Sequence, residues 1–404
     1  MRDVDLFQAA LGLSPPWCVQ SCEFDAEQKR LDIHLDFPAG SRFVCAGCGL
    51  GGCAVHDTKE DAWRHLDFFQ HKAFLHARVP RAICADCGIL KVSVPWARPG
   101  SGFTLLFEGI ILSMVKSMPV LNVARIVGVH DTRIWRVVDH YVDKAVSERD
   151  LSGVRQIAVD ETSARRGHDY VTLFADSALR RVMYVADGKS SETLNEFSAW
   201  LESHGGQAQD ITDISMDMSA AFIAGAKSNF PNAAITFDRF HVMKLVGEAV
   251  DEVRRQESRR NPALKGTRYI WLKNVGNLTE DQVTRLAELE GANLDTMQAY
   301  QIRMNLQAVF QMGSVKTARQ FLEKWNTWVR ISELAPMIKV AKTIMAKADD
   351  ILRAIQSGIS NGFLEAINGR IQAAKRMARG YRSKRNLKTV IYLVAGGILD
   401  ALPT

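Results

Sequence analysis

At 404 residues the chain exceeds the size at which a single hydrophobic core keeps growing, so about two to four domains are expected. Hydrophobic residues at 47% and charged residues at 24% are ordinary globular material, and a net charge of +6 is too small to identify a polyanionic partner unless it is clustered. Seven cysteines exclude a disulfide scaffold, the N-terminus is acidic where a signal peptide would be basic, and no apolar run approaches the roughly 18 residues that span a bilayer. A cytoplasmic, reducing setting is therefore expected.

Residues 1 to 95 hold every cysteine and read as short β pieces between turns. Cys45-Ala46-Gly47-Cys48-Gly49 and Cys84-Ala85-Asp86-Cys87-Gly88 are matching knuckles, each offering two thiolates on one tight turn, with a glycine that lets the backbone wrap an ion. Cys45, Cys48, Cys84 and Cys87 together supply the four sulfurs of a closed, structural zinc site. The 35 residues between the pairs exceed the usual ribbon spacing and predict an inserted sub-structure, with Cys53 or His56 able to replace one ligand.

Pro95, Pro99, Gly100 and Gly102 break the pattern, and residues 103 to 148 turn helical. Val120 to Val127, a Gly128-Val129-His130 turn and Asp131 to Val142 have the lengths of a helix-turn-helix. Thr132, Arg133 and Arg136 would open a recognition helix facing DNA. An ordinary helical hairpin with a glycine cap is the alternative.

Next come three β-rich runs, Gln156–Asp160, Tyr170–Asp176 and Val182–Asp187. A helix over Ser191–His204, a strand over Ile211–Asp217, a helix over Ala220–Asn229 and a strand over Ala233–Phe237 follow. That order is RNase H-like, and in such a sheet the first and fourth strands are parallel neighbours. Asp160 and Asp217 end those two apolar runs and would converge, whereas Asp176 and Asp187 read as turn or capping residues. Glu161 should point to the face opposite Asp160. Beyond His241 the chain is helical for over a hundred residues, with Phe321, Trp325 and Trp328 on one core-facing stripe.

Between residues 351 and 390 nine basic side chains (Arg353, Arg370, Lys375, Arg376, Arg379, Arg382, Lys384, Arg385, Lys388) surround one acid, Glu365. Asn361, Glu365, Asn368 and Gln372 are spaced to share one helix face. That face would meet metal and DNA, and the basic residues would reach phosphates. Two aspartates and a glutamate suit hard divalent cations such as Mg²⁺, which activate a nucleophile and stabilise a departing oxygen in phosphodiester cleavage.

These residues together resemble the DDE insertion-sequence transposases of the ISL-three group. The resemblance rests on the two knuckles, Ala158-Val159-Asp160-Glu161-Thr162, Met216-Asp217-Met218-Ser219, Phe237-Asp238-Arg239-Phe240-His241-Val242 and Asn361-Gly362-Phe363-Leu364-Glu365-Ala366-Ile367-Asn368. It covers nearly the whole chain and implies a multidomain α+β protein. The parts would be a zinc ribbon over 1–95, a helix-turn-helix over 103–148, and an RNase H-like α/β catalytic domain over 154–250 and 351–404, interrupted by an all-α insertion over 251–350.

It further implies that Asp160, Asp217 and Glu365 form the catalytic triad on Mg²⁺ or Mn²⁺, with Asp238, His241, Asn361 and Asn368 supporting them. Arg370, Lys375, Arg376, Arg379, Arg382, Lys384 and Arg385, with Arg133 and Arg136, would bind double-stranded DNA, as a homodimer or larger assembly. Two rivals remain at this stage: a zinc-containing regulator with a degenerate RNase H-like domain, and a nuclease of the same fold that does not join strands.

Overall fold

The computed structural model describes residues 3–165, 167, 169–357 and 362–398. Asn361, expected on the polar helix face, lies outside them. The chain up to Tyr141 forms one compact unit and Val142–Ile398 a second. Among the described residues no helix is long and apolar enough to cross a membrane.

In the first unit a helix, α1 (Asp3–Ala10), precedes six strands, β1 (Cys18–Asp25), β2 (Arg30–Asp36), β3 (Arg42–Phe43), β4 (Cys53–Arg64), β5 (Lys72–Cys84) and β6 (Gly88–Lys91). They form a sheet of order β1-β2-β5-β4-β3, with β6 added to β5. Alternation drives it: Leu31, Ile33 and Leu35 of β2 and Ala73, Leu75, Ala77 and Val79 of β5 are buried. They pack with Trp17, Trp63 and Trp96 in one core.

The sub-structure between the knuckles is thus the β4–β5 hairpin, and its strands, at 12 and 13 residues, are much longer than the short pieces expected. Their polar faces hid them. Thr58-Lys59-Glu60-Asp61 carries no apolar side chain, yet it lies within β4, and across the sheet Asp57 pairs with Arg81 and Asp61 with Lys91.

Three helices follow, α2 (Leu105–Val115), α3 (Val120–Val127) and α4 (Asp131–Ser147), the residues of α4 past Tyr141 belonging to the second unit. Gly128 ends α3 in the left-handed conformation at φ 65°, where a side chain would be strained, and donates its N–H to Ala124 O. Val123, Val127, Ile134, Val137 and Val138 are buried between the helices. Glu108 is fully buried yet satisfied by Arg98 at 3.0 Å, Ser101 at 2.7 Å and the Tyr141 hydroxyl at 2.8 Å.

The second unit is built on β7 (Gln156–Arg165), β8 (Asp169–Asp176), β9 (Arg181–Asp187), β10 (Asp213–Met216) and β11 (Ala234–Phe237), in the order β11-β10-β7-β8-β9. β7, β8 and β9 are an antiparallel meander, and β7, β10 and β11 are mutually parallel. Helices α5 (Glu192–Ser203) and α6 (Ala220–Asn229) lie in the connections, and α7 (Arg239–Glu257) follows β11.

Six helices come next: α8 (Arg268–Leu272), α9 (Glu280–Glu290), α10 (Asp295–Leu306), α11 (Val315–Ile331), α12 (Ala335–Ala346) and α13 (Ala348–Ser357). The expected aromatic stripe of α11 packs inward, with Trp325 buried and donating its indole N–H to Ile302 O at 2.9 Å. The chain then returns to the sheet with α14 (Gly362–Met377) and α15 (Lys384–Ala395).

Candidate active site and zinc centre

The ligand sulfurs of Cys45, Cys48, Cys84 and Cys87 all lie within 4.8 Å of one another. Cys48 and Cys84 are 3.6 Å apart, close to the edge of about 3.8 Å that a tetrahedron with Zn–S bonds of about 2.3 Å requires. The Gly47 N–H donates to the Cys45 sulfur at 3.4 Å, and backbone donors from Cys48 and Gly47 draw that thiol down to about 7. A side chain at position 47 would meet Leu90 at 2.9 Å and the Cys87 sulfur at 3.1 Å, so the knuckle needs glycine there. Gly49 and Gly88 both adopt positive φ, as wrapping an ion demands. The four thiolates fit one structural zinc. Cys53 is buried but stays outside the cluster, bonded to Leu50 O, and His56 turns to Asp57 at 3.3 Å.

In the second unit, β10 pairs with β7 through Ser215 opposite Ala158, and with β11 through Met216 opposite Phe237. Continuing these registers puts Asp160, Asp217 and Asp238 in one row across three adjacent parallel strands. Asp160 does not end its strand, as the sequence suggested. β7 runs on to Arg165 through its ladder with β8, and Asp160 marks instead the point where β10 leaves it. The other strand-end aspartates do stand elsewhere: Asp176 caps a turn by accepting from Ala178 and Leu179, and Asp187 pairs with Lys388 at 3.2 Å.

α14 lies against the exposed length of β7. Asn368 donates to Asp160 Oδ2 at 2.6 Å, Gln372 to Thr162 Oγ1 at 2.8 Å, and Lys375 to Ser163 O. Since alternate β7 side chains meet α14, Glu161 faces the other way, where Lys189 lies at 3.9 Å. Burial is the main cause that pushes Asp160 up to about 6, aided by the nearby charges of Asp238 and Asp217. Asn368 Oδ1 is buried and bonds no group among the described residues.

Asp238 is itself buried and caps α7 by accepting from the Phe240 N–H at 3.2 Å. Its other oxygen holds His241 Nδ1 at 3.2 Å, and this bond, with the charges of Asp160 and Asp217, raises the imidazole above its ordinary value. Glu365, in the first turn of α14, keeps an exposed tip. What burial it has, together with Asp238, raises its carboxyl, while Arg239 and His241 oppose that rise. The structure therefore brings Asp160, Asp217, Asp238, His241, Glu365 and Asn368 into one neighbourhood. Among the described residues their oxygens are not gathered as tightly as the zinc thiols.

One neighbour escaped sequence reasoning. Lys347, between α12 and α13, donates to Met218 O at 2.9 Å, and burial lowers its pKa while the Asp217 carboxylate opposes this. It sits 129 residues from its backbone partner in no recognisable motif.

The basic run divides in two. Lys384 pairs with Asp169 at 2.6 Å, Arg385 with Asp143 at 3.2 Å and Lys388 with Asp187, so these cations hold α15 to the rest of the unit. The local excess counted along the sequence is partly neutralised by acids that folding delivers from far away. Arg370, Arg376, Arg379 and Arg382 remain exposed and form no ion pair among the described residues. In the first unit Arg133 stacks over the Phe103 ring at 4.1 Å, and Arg136 is exposed.

Comparison with known proteins identifies three consecutive regions. Residues 41–87 match the zinc-finger of transposase IS204/IS1001/IS1096/IS1165, residues 92–142 the helix-turn-helix domain of transposase family ISL3, and residues 157–391 the ISL3 family described as transposase. The transposase for insertion sequence element IS1557, in two strains of Mycobacterium tuberculosis, is 27% identical over 443 residues, covering 100% of this chain and 98% of that protein. The transposase for insertion sequence element IS1001 of Bordetella parapertussis is 29% identical over 370 residues, covering 88% of this chain and 89% of its own. Because the transposase match alone spans more than half of its length, the chain belongs to transposase family ISL3 and is a DDE-type DNA transposase.

Proposed function

We propose that this transposase cuts and joins DNA at a site formed by Asp160, Asp217 and Glu365 on an RNase H-like core, into which residues 251–350 insert a helical domain. The observation that carries the reading is the row of carboxylates on adjacent parallel strands, with α14 bonded directly to Asp160 through Asn368. The strand order β11-β10-β7-β8-β9 supports the RNase H-like assignment. Asp160, Asp217 and Glu365 would hold Mg²⁺ or Mn²⁺. The donors are hard oxygens, the raised Asp160 carboxyl favours a proton or a cation beside it, and the buried Asn368 Oδ1 offers a further acceptor. When bound, such ions supply a nucleophile at neutral pH and neutralise the departing oxygen.

The chain's own residues do the rest. Asn368 fixes the Asp160 carboxylate, and Asp238 orients His241 beside it. Arg370, Arg376, Arg379 and Arg382 grip the phosphate backbone. The zinc ribbon and the helix-turn-helix, with Arg133 and Arg136, recognise the element's terminal repeats. Two ends handled together call for a homodimer or larger assembly.

The test uses duplexes of the element's terminal inverted repeats with a target duplex and Mg²⁺. Asp160→Asn, Asp217→Asn and Glu365→Gln should each keep end binding and lose cleavage by several orders of magnitude. A variant that cuts normally is thereby removed from the triad. Hydrolysed ends without joined products would favour a nuclease over a strand-transferring enzyme.

A further inference from the structure

Beside Glu365 the second unit carries a groove of about 730 Å³, walled on one side by α7 and on the other by residues of α8 and α10 and of the segments that follow them. That volume falls among small-molecule sites, which span about 300–1,000 Å³. Its chemistry is mixed in a particular way. Arg239, Lys244, Arg268, Lys273 and Arg303 line it, against Glu248 and Glu365.

Arg303 is 6% exposed and forms no ion pair among the described residues. Among the described residues its Nη atoms reach only neutral acceptors, Leu272 O and Asn274 Oδ1 at 3.1 Å, Lys273 O at 3.3 Å and the Met304 sulfur at 3.4 Å, and its Nε donor has no partner. A guanidinium stripped of water without a counter-charge is a standing demand for an anion.

The remaining lining asks for something flat as well. Phe240 is 51% exposed on the first turn of α7, with Phe310 across the groove. Around them stand four side-chain amides, Asn274, Asn277, Gln307 and Gln311. Asn274 spends its carbonyl on Arg303 and on Gln307 at 2.8 Å, leaving its Nδ2 donor unspent among the described residues. An anion site, an uncovered aromatic ring and amides that both donate and accept correspond to the phosphate, the π-face and the hydrogen-bonding edge of a nucleotide. Inside a duplex those faces are stacked and those edges paired, so only an unpaired nucleotide offers all three.

We propose that this groove binds one unstacked nucleotide of the DNA strand being processed. Arg239 and Phe240 directly follow Asp238, and Glu365 stands on the rim, so the nucleotide neighbours the scissile phosphate. The inference rests on the transposition-site reading above and adds to it how the strand is held.

The full-length protein is bound, with Ca²⁺ in place of Mg²⁺, to terminal-repeat duplexes carrying 2-aminopurine at one position at a time across the cut. One position should brighten, in wild type and in Asp160→Asn alike, because unstacking precedes chemistry. In Mg²⁺, Phe240→Ala should cut the fully paired end more slowly by at least about fivefold, the low end of one base–aromatic stack. A mismatch that leaves the same nucleotide unpaired beforehand should restore most of that loss. If no position brightens while wild type still cuts, or if Phe240→Ala slows paired and mismatched ends equally, the groove grips intact duplex and the inference falls with the site reading untouched. If Asp160→Asn cuts like wild type, the site reading falls, and the 2-aminopurine signal alone decides the groove. Phe240 is exposed enough that its loss leaves no cavity; should the variant nevertheless misfold, the wild-type signal still decides.

Discussion

Burial leaves Asp160 holding its proton up to about 6, whereas an unfolded aspartate releases it near about 4. Between those values the native state binds more protons than the unfolded chain, so stability falls as pH rises through that window, and the full penalty stands above it. Its size is at most about 3 kcal/mol, from roughly two pKa units. Asp160→Asn should therefore melt higher than wild type at pH 7 in EDTA, with the gap closing below about pH 4. A lower melting temperature at pH 7 would contradict the burial argument. Because a cation must displace the same proton, metal-dependent cleavage should weaken as pH falls through about 6. His241 titrates in a higher window. Raised by Asp238, it contributes stability that is present below the ordinary histidine value and lost as pH climbs through its folded one. Asp160, Asp217 and Glu365 stood out in the sequence because the end of an apolar run and a lone acid among cations are local signals, although for Asp160 the end of the apolar run is not the end of the strand. Lys347 was not, since only the folded chain brings it to Met218.

α14 is stitched to β7 by a ladder of side chains rather than by an apolar seam alone. Gln372 is its middle rung, reaching a Thr162 that is 5% exposed. Gln372→Leu should leave that hydroxyl unsatisfied and lower the stability of the second unit by about 1–3 kcal/mol. Urea titration followed by tryptophan fluorescence would measure it, and an unchanged midpoint would show that the rung contributes nothing. The polar face of this helix could be read from spacing, but not what it touched. β7 looked complete at Asp160 because its apolar run stops there; its continuation is polar and is held by β8 on one side and by α14 over one face. The basic run was misjudged for a similar reason: charge counted along the chain ignores Asp143, Asp169 and Asp187, which the fold delivers to α15.

At the scale of the molecule, the two units have separate cores, one around Trp17, Trp63 and Trp96 and one running from Leu151 to Leu352. The first depends on four thiolates, and metal-binding free energy in such modules is folding free energy. Cys84→Ser, or a strong zinc chelator, should abolish binding to the terminal repeats and the melting transition of the first unit, while the transition of the second stays within about a degree or two, as expected of independent domains. A calorimetric scan separates the two, and loss of both transitions together would refute their independence. The first sheet ends at Lys91, ahead of the Pro95–Gly102 breaker cluster, whereas the unit itself ends at Tyr141, inside α4, where the sequence carried no signal of a boundary.

The bond from Asn368 to Asp160 spans 208 residues, and those from Gln372 and Lys375 span 210 and 212. On the ribosome, where synthesis proceeds at about 5–20 residues per second, β7 is thus finished at least about ten seconds before α14 exists. A nascent transposase can hold its zinc and meet DNA during that interval, but it carries Asp160 without the helix that orients it. On the proposed site, the capacity to cut DNA would be withheld until α14 has been made.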